Sequence, residues 1–421
     1  MSVATTSDDS QALLLLCSGL GLGSREDAPK PLSRTEWNNL EKALDSSEFR
    51  RPGALLGIDA GRVQSTLGIP GELARRIDAL LSRGAQAAIE RERLESLGIW
   101  VLTRIDERYP ARLTDKLRRD APPVLFGAGP IDLVKRPAVA IVGSREIDDA
   151  GASFARSLGE LCAAAKVTVV SGAARGADRT AMQGALERGG AAVGVLAESL
   201  EQILKQRDVR TAVLESSLTL LTPMHPAVRF TVGAAMGRNK LIYAMADFAV
   251  VVSTGLEEGG TWSGAVENLK ARWTPLFVRA GSSAPDGNRR LIERGGGAVT
   301  LDQLRDDPIA WLGSASRAAV EPAPTLVREA PASYAGPPDS DASDLFPEVW
   351  SRLERYLRQP RTEAEVASAF ALERGQARAW LGRAVREGLA KKTERPIRYV
   401  RESKPSNGQP DLLDPPKATD P

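Results

Sequence analysis

Four short runs of almost purely apolar residues alternate with stretches of helical periodicity: Val139–Val142, Val167–Val170, Ala192–Leu196 and Phe248–Ser253, with Pro275–Val278 as a fifth. A strand this apolar has no polar face to offer to water, so it must be covered on both sides. Strand and helix in alternation supply that cover when helices lie on both faces of a mostly parallel sheet. An α/β architecture follows. "GIWVLT", from Gly98, reads as a further strand, and "YPARL" and "APPVLFGAG" carry the prolines of turns and edges.

The segment "PAVAIVGSREIDDAGASFARSL", residues 137–158, shows how one unit is made. An apolar strand ends abruptly in Gly143-Ser144-Arg145, and an amphipathic helix follows with Phe154, Leu158 and Leu161 on one side. Strand, tight turn and helix form the phosphate-binding geometry of a Rossmann-like unit. The dinucleotide fingerprint G-x-G-x-x-G is missing, because Ser and Arg stand where glycines would let a pyrophosphate approach. Gly172, Gly255 and Gly259-Gly260 also follow strand ends, and ligands of open α/β sheets bind at that edge.

The core is expected over 98–315 as an extended Rossmann-like domain, between two smaller parts. Residues 1–97 read as a helical domain of SAM or helix-hairpin-helix type. There "SRTEWNNLEKAL" opens with a Ser33-x-x-Glu36 capping box and carries Trp37, Leu40 and Leu44 at helical spacing. Gly68-Ile69-Pro70-Gly71 punctuates two helices, a turn that serves either helix packing or a DNA phosphate. Residues 316–344, rich in Pro, Ala and Ser, read as a flexible linker. Residues 345–402 read as a winged helix, with three helices, a stop at Gly388 and a closing strand. The tail, 403–421, is polar and Pro-rich and is expected to be disordered.

Bulk charge decides little: the formal net charge is +2 with 26% charged residues, so only local clustering bears on nucleic acid. Cys17 and Cys162 lie far apart in apolar helical surroundings and read as buried thiols of a reducing compartment. With His225 they cannot make a zinc site of the usual kinds, so neither metal nor cofactor is expected. No signal pattern opens the chain, and "ALLLLC" is too short to span a bilayer. A cytoplasmic protein is the expectation.

Four segments carry chemistry. Arg145, beyond the first strand and near the amides that start the next helix, is either half of an anion seat or an ordinary surface arginine. In "SGAARGADRTAMQGAL", Ser171 and Gly172 make the turn, Gly176 permits close backbone approach, Asp178 caps or braces the loop, and Arg175 is the charge at the edge. In "GRNKLIYAMADFAVVVSTG", Arg238, Asn239 and Lys240 are read as leading a helix. Cations disfavour that end on dipole grounds, which implies that they face an anion. In "EEGGTWSGAVENL", Gly259, Gly260 and Thr261 present amides at a helix N-terminus, while Trp262 is either core or a ring for stacking on a base. His225, among prolines, reads as structural or incidental.

Together "VAIVGSRE", "VVSGAARGAD", "GRNKLIYAMAD" and "GNRRLIERGGGAV" resemble, in order, the signature segments of the DNA-processing protein A (DprA/Smf) family. "GIWVLTRIDERYPARL…PPVLF" resembles that family's lead-in. The resemblance implies a non-catalytic protein that binds single-stranded DNA and hands it to the RecA recombinase in transformation or recombination, as a homodimer through the Rossmann-like domain. It also implies that Gly143, Ser144 and Arg145, then Ser171, Gly172, Arg175, Gly176 and Asp178, then Arg238, Asn239 and Lys240, hold DNA phosphates. The chain departs from the family in reading "GGTWSGAVE" where S-G-S-hydrophobic-x-T-A is usual. Its segment before the R-N-basic helix is also different, which marks a divergent member.

Two other readings stay open. "EGGTWSGAVE" is reminiscent of the P-G-G-x-G-T-x-x-E loop of LOG-type nucleoside monophosphate phosphoribohydrolases, with Glu267 as would-be acid at the wrong spacing. A nucleotide-sensing module of a stress or defence system would keep the pocket and lose the DNA groove. In the winged-helix segment Arg374, Arg378, Arg383, Arg386, Lys391, Lys392, Arg395 and Arg398 form a basic face for nucleic acid or for a protein partner. Its "RGQARAWLGRAVREG" helix is expected to turn Ala379, Leu381 and Val385 inward.

Overall fold

The apolar runs form strands because each alternates between two buried faces. In the computed structural model, which describes residues 7–23, 28–320, 346–370, 374–394 and 397–401, the chain divides into two compact units, Met1–Leu326 and Val327–Pro421.

The first unit holds a nine-stranded sheet in the order β1-β2-β6-β5-β4-β3-β7-β8-β9. Its strands are β1 (Ile99–Thr103), β2 (Val124–Ala128), β3 (Ala138–Val142), β4 (Thr168–Ser171), β5 (Ala192–Val195), β6 (Leu218–Thr222), β7 (Phe248–Val251), β8 (Leu276–Arg279) and β9 (Gly297–Val299). From β6 to β9 every pairing is parallel. Only β1–β2 and β2–β6 are antiparallel. The sheet is thus mostly parallel with helices on both faces, as the sequence implies. β6, in "SLTLLT", is an element that sequence reading missed: it sits between β2 and β5, inside the segment read only as divergent.

Val139 and Ile141 of β3 enter one core with Phe154, Leu158, Ala181 and the apolar residues of the N-terminal helices. Ala138, Ala140 and Val142 enter the other, with Leu241, Tyr243, Trp262 and Leu291. The period-2 alternation of strand side chains therefore feeds two apolar layers. The N-terminal helices are Asp8–Cys17, Arg34–Asp45, Ala60–Leu67, Gly71–Leu81 and Gly84–Ser96. Ser33 and Glu36 form the expected capping box, and Gly68, at φ +62°, ends a helix as its position implied. The Pro308–Val320 helix makes residues 316–320 helical where a linker was expected to begin. The remainder of that stretch, and the tail, lie outside the described residues.

The second unit contains helices Phe346–Tyr356, Glu363–Ala369 and Arg374–Arg386, then an antiparallel hairpin, β10 (Ala390–Glu394) with β11 (Ile397–Arg401). Leu353, Leu357, Val366, Ala377, Leu381 and Tyr399 form its core. Ala377, Leu381 and Ala384 are the buried positions of the last helix. Ala379, expected inward, is exposed, because the stripe runs at spacings of four and three from Ala377. Arg378 and Arg383 of the expected basic face pair with Glu363 and Glu387, while Arg386, Lys392 and Arg398 are exposed. Arg395 and the Arg374 side chain lie outside what is described.

At the opposite end of the sheet from the strand tips, the Ala111–Leu117 helix is held down by two cations. Arg112 donates to the Met245 carbonyl and to Asp247, and Lys116 Nζ donates to the Ala246 carbonyl at 2.6 Å and to Thr274 Oγ1 at 2.8 Å. Burial pushes the Lys116 ammonium down from 10.5 to about 8, against the pull of Asp247. Between those two values the unfolded chain keeps a proton that the folded chain has released, so folding gains on this group as pH rises through the window. Denaturant unfolding of wild type and Lys116→Met near pH 8 and near pH 10.5 is expected to shift the difference towards wild type at the higher pH. A constant or opposite difference would show that Lys116 stays charged in the fold.

Candidate nucleic-acid interface

Strand order reverses around β3, which has β4 on one side and β7 on the other. Loops leaving β3 and β7 diverge there, and a cleft opens at their C-terminal ends, as expected for a topological switch point. Its volume is about 440 Å³, and its lining includes Gly143, Ser144, Arg145, Asp178, Arg238, Asn239, Gly259, Gly260 and Thr261. Of the residues expected to bind phosphate, these come together. Ser171, Gly172, Arg175, Gly176 and Lys240 are not part of the lining.

Asp178, at the start of the Ala177–Glu187 helix, organises the floor. Its carboxylate accepts the Gly143 amide at 3.2 Å and the Gly172 amide at 3.1 Å, so one side chain ties the loops after β3 and β4 together. Burial pushes the Asp178 carboxyl up, opposed by the Arg238 charge and by the amides of Gly143, Gly172 and Ala174. Arg238 is itself buried, at 7% exposure. Its Nη2 donates to the Gly172 carbonyl at 3.2 Å, and its Nε has no hydrogen-bond partner. A Cβ on Gly172 would stand 1.9 Å from that guanidinium, so any other residue there would force the Arg238 side chain to move. Gly176, at φ +90°, likewise lies where a Cβ would meet the Ser144 and Arg145 carbonyls at 2.4 and 2.5 Å.

The amides at these tips are therefore engaged. The Ser144 amide donates to the Ser253 carbonyl at 2.9 Å, and the Ser171 hydroxyl to the Ile141 carbonyl at 2.6 Å. The Gly143, Ser144 and Gly172 amides and the Ser144 and Ser171 hydroxyls thus donate to Asp178, Ser253 and Ile141. What faces outward is different. Arg145 is exposed, with its guanidinium 5.0 Å from the centre of the Phe230 ring, and among the described residues it pairs with no carboxylate. Opposite, the Gly259–Ala271 helix begins without a capping side chain on its first-turn amides. Asn239 Nδ2 donates to the Gly260 carbonyl at 3.1 Å and steadies that turn. The carboxylate residue Glu258 also lines the cleft.

Arg238, Asn239 and Lys240 do not start their helix, which runs from Val232 to Ala244 with Thr231 as its cap. The dipole argument for them fails for that reason, and helical rotation separates them. Arg238, Asn239 and Ile242 face the cleft. Lys240, half-buried, turns away towards Arg34, Asp120 and Glu267, and burial lowers its pKa. Arg175 is exposed and stands 3.5 Å from Glu146, a surface pair of small energetic consequence. Trp262 is core, 6% exposed, with Arg294 over its ring. Glu267 is exposed and outside the lining. His225 bonds Glu90 at 2.9 Å and is structural. Among the described residues no cluster of His, Cys, Asp and Glu is placed to hold a metal ion, and no helix is long and apolar enough to cross a membrane.

Asp178→Asn would replace an acceptor of amides by a group that presents an N–H to one of them, and would leave Arg238 as an uncompensated buried charge. A loss of about 3–5 kcal/mol in unfolding free energy is expected, read by chemical denaturation. A variant as stable as wild type would mean that the Asp178 carboxylate does not hold the loops.

Comparison with known proteins gives the same region. The family model of DNA recombination-mediator protein A matches residues 100–306. The DNA processing protein DprA of Streptococcus pneumoniae is 27% identical over 203 residues, 47% of this chain and 70% of that one. Its X-ray structure covers 66% of this chain and 98% of its own, at 21% identity and a TM-score of 0.49. A putative DprA of Mycobacterium tuberculosis is 33% identical over 202 residues, 46% of this chain, and the matched stretch spans 50% of that relative's length. A structure describing the single-stranded DNA binding mode of DNA processing protein A from Helicobacter pylori covers 51% of this chain and 94% of its own, at 22% identity and a TM-score of 0.41. Residues 100–306, which hold the sheet and its switch-point cleft, match the DNA recombination-mediator protein A family.

Proposed function

We propose that the chain binds single-stranded DNA by seating a backbone phosphate in the switch-point cleft. The observation that carries this reading is Arg145: an exposed guanidinium without a carboxylate partner among the described residues, lining the same cleft as a helix start whose first-turn amides lack a capping side chain. A guanidinium fork and helix-start amides are complementary to a phosphate. Buried Arg238 and Asp178 offset one another, so Arg145 supplies the net positive charge, and Glu258 opposes it at the rim. A cleft of this size admits the phosphate and sugar of one strand. The match to a recombination-mediator family favours a polynucleotide over a free nucleotide.

The reading extends to non-catalytic action, delivery of the bound strand to RecA, and a homodimer formed through the sheet domain. These extensions rest on the family. Glu267, the acid that the nucleotide-hydrolase reading names, does not line the cleft.

Titration of a fluorescent oligonucleotide across a salt series tests the site. Arg145→Ala is expected to weaken single-strand binding about tenfold at low salt and to reduce the slope of log affinity against log salt by about 0.7, with unchanged melting. Lys240→Ala, outside the cleft, is expected to change binding less. Arg145→Ala binding as wild type would overturn the assignment. Glu258→Gln removes the opposing charge, and a gain of about threefold at low salt that vanishes at high salt is expected. A loss on that substitution would mean that the carboxylate contacts the ligand directly.

A further inference from the structure

The segment before the Val232–Ala244 helix and the start of that helix leave large apolar side chains in solvent beside a charged cleft. Phe230 is 43% exposed and Met236, which lines the cleft, is 40% exposed. Arg145, the cation at the mouth, lies over the Phe230 ring at 5.0 Å. A phosphate seat needs no aromatic ring, and exposing Phe230 forgoes the burial that such a side chain ordinarily finds. The other aromatics of the site region, Tyr243 and Trp262, are both buried in the core. A guanidinium plane and a phenyl ring in contact form a π surface, and both kinds of surface stack nucleobases.

Building on the phosphate-binding reading above, we infer that Phe230, together with Arg145, is a stacking platform for an unpaired nucleobase adjacent to the phosphate in the cleft. The platform takes any base, since every base has a π face, and it takes only unpaired ones, because a duplex holds its bases inside the stack. Single-strand preference then has a definite physical source in this chain. Charge attracts any nucleic acid, and Phe230 rewards the strand whose bases are free. This role falls on a residue of the segment that sets the chain apart from the usual family sequence.

The test compares the full chain with Phe230→Ala and Phe230→Tyr, using an oligothymidylate, an abasic oligomer of equal length and a duplex, each across a salt series. Wild type is expected to bind oligothymidylate about tenfold more tightly than the abasic oligomer. Phe230→Ala is expected to erase that preference while leaving abasic binding and the salt slope intact, and Phe230→Tyr to retain it. Equal weakening of both oligomers by Phe230→Ala, with a reduced salt slope, would make Phe230 a support for Arg145 alone and overturn the platform. An unchanged preference in Phe230→Ala would overturn it as well. Wild type binding neither oligomer would overturn the phosphate reading and the platform with it, whereas tight abasic binding without a base preference would remove the platform only.

Discussion

One buried carboxylate holds the binding edge of this protein in shape. Asp178 accepts backbone amides from the loops after two adjacent strands and faces the buried guanidinium of Arg238. Each contact answers a local need. The loops leave amides that lack ladder partners, the carboxylate needs donors out of water, and the arginine needs a counter-charge. The glycines follow from this arrangement, because Gly172 must clear the guanidinium and Gly176 must pass beneath two carbonyls. What resembles a phosphate loop is in large part the housing of one buried carboxylate and one buried guanidinium. The outward-facing chemistry sits on the few groups this housing leaves over.

That division explains why the fold was more legible than the site. Strand identity follows from apolar runs, and the β3, β4, β5, β7 and β8 segments are short, apolar and bounded by turns. β6 was missed because "LTLLT" alternates threonine with leucine within an unfamiliar stretch, although its threonines are buried inside the sheet. The Ser33–Glu36 capping box was readable because capping is local. Phosphate contacts are not local. Gly143, Ser144 and Gly172 occupy the expected places, yet whether an amide points to a ligand or to Asp178 depends on where a distant helix lies. Likewise, Arg238, Asn239 and Lys240 read as one motif in the sequence, while the helix that carries them starts at Val232 and rotates Lys240 away from its neighbours.

The sheet also explains how the cleft keeps its shape. All the strands that frame the cleft are central and parallel, buried on both faces, so substitutions there are constrained by two cores at once. The segments that vary, before the Val232–Ala244 helix and at the Gly259–Thr261 turn, form the rim. Variation at the rim changes which side chains meet a ligand while the floor stays as it is. Glu258 and Phe230 are the two rim residues whose chemistry differs most from a bare phosphate seat, one opposing an anion and the other offering a ring.

The bond between His225 and Glu90 bears on that rim. Glu90 belongs to the Gly84–Ser96 helix, so the segment is anchored at His225, where the Val228 amide also closes a turn on the His225 carbonyl. At its other end Thr231 caps the next helix. Phe230 thus hangs on a span of a few residues with both ends pinned. Such a span has little conformational entropy left to surrender when something settles against the ring. A helix of the N-terminal part, remote from the strand tips in sequence, thus steadies the span that carries Phe230.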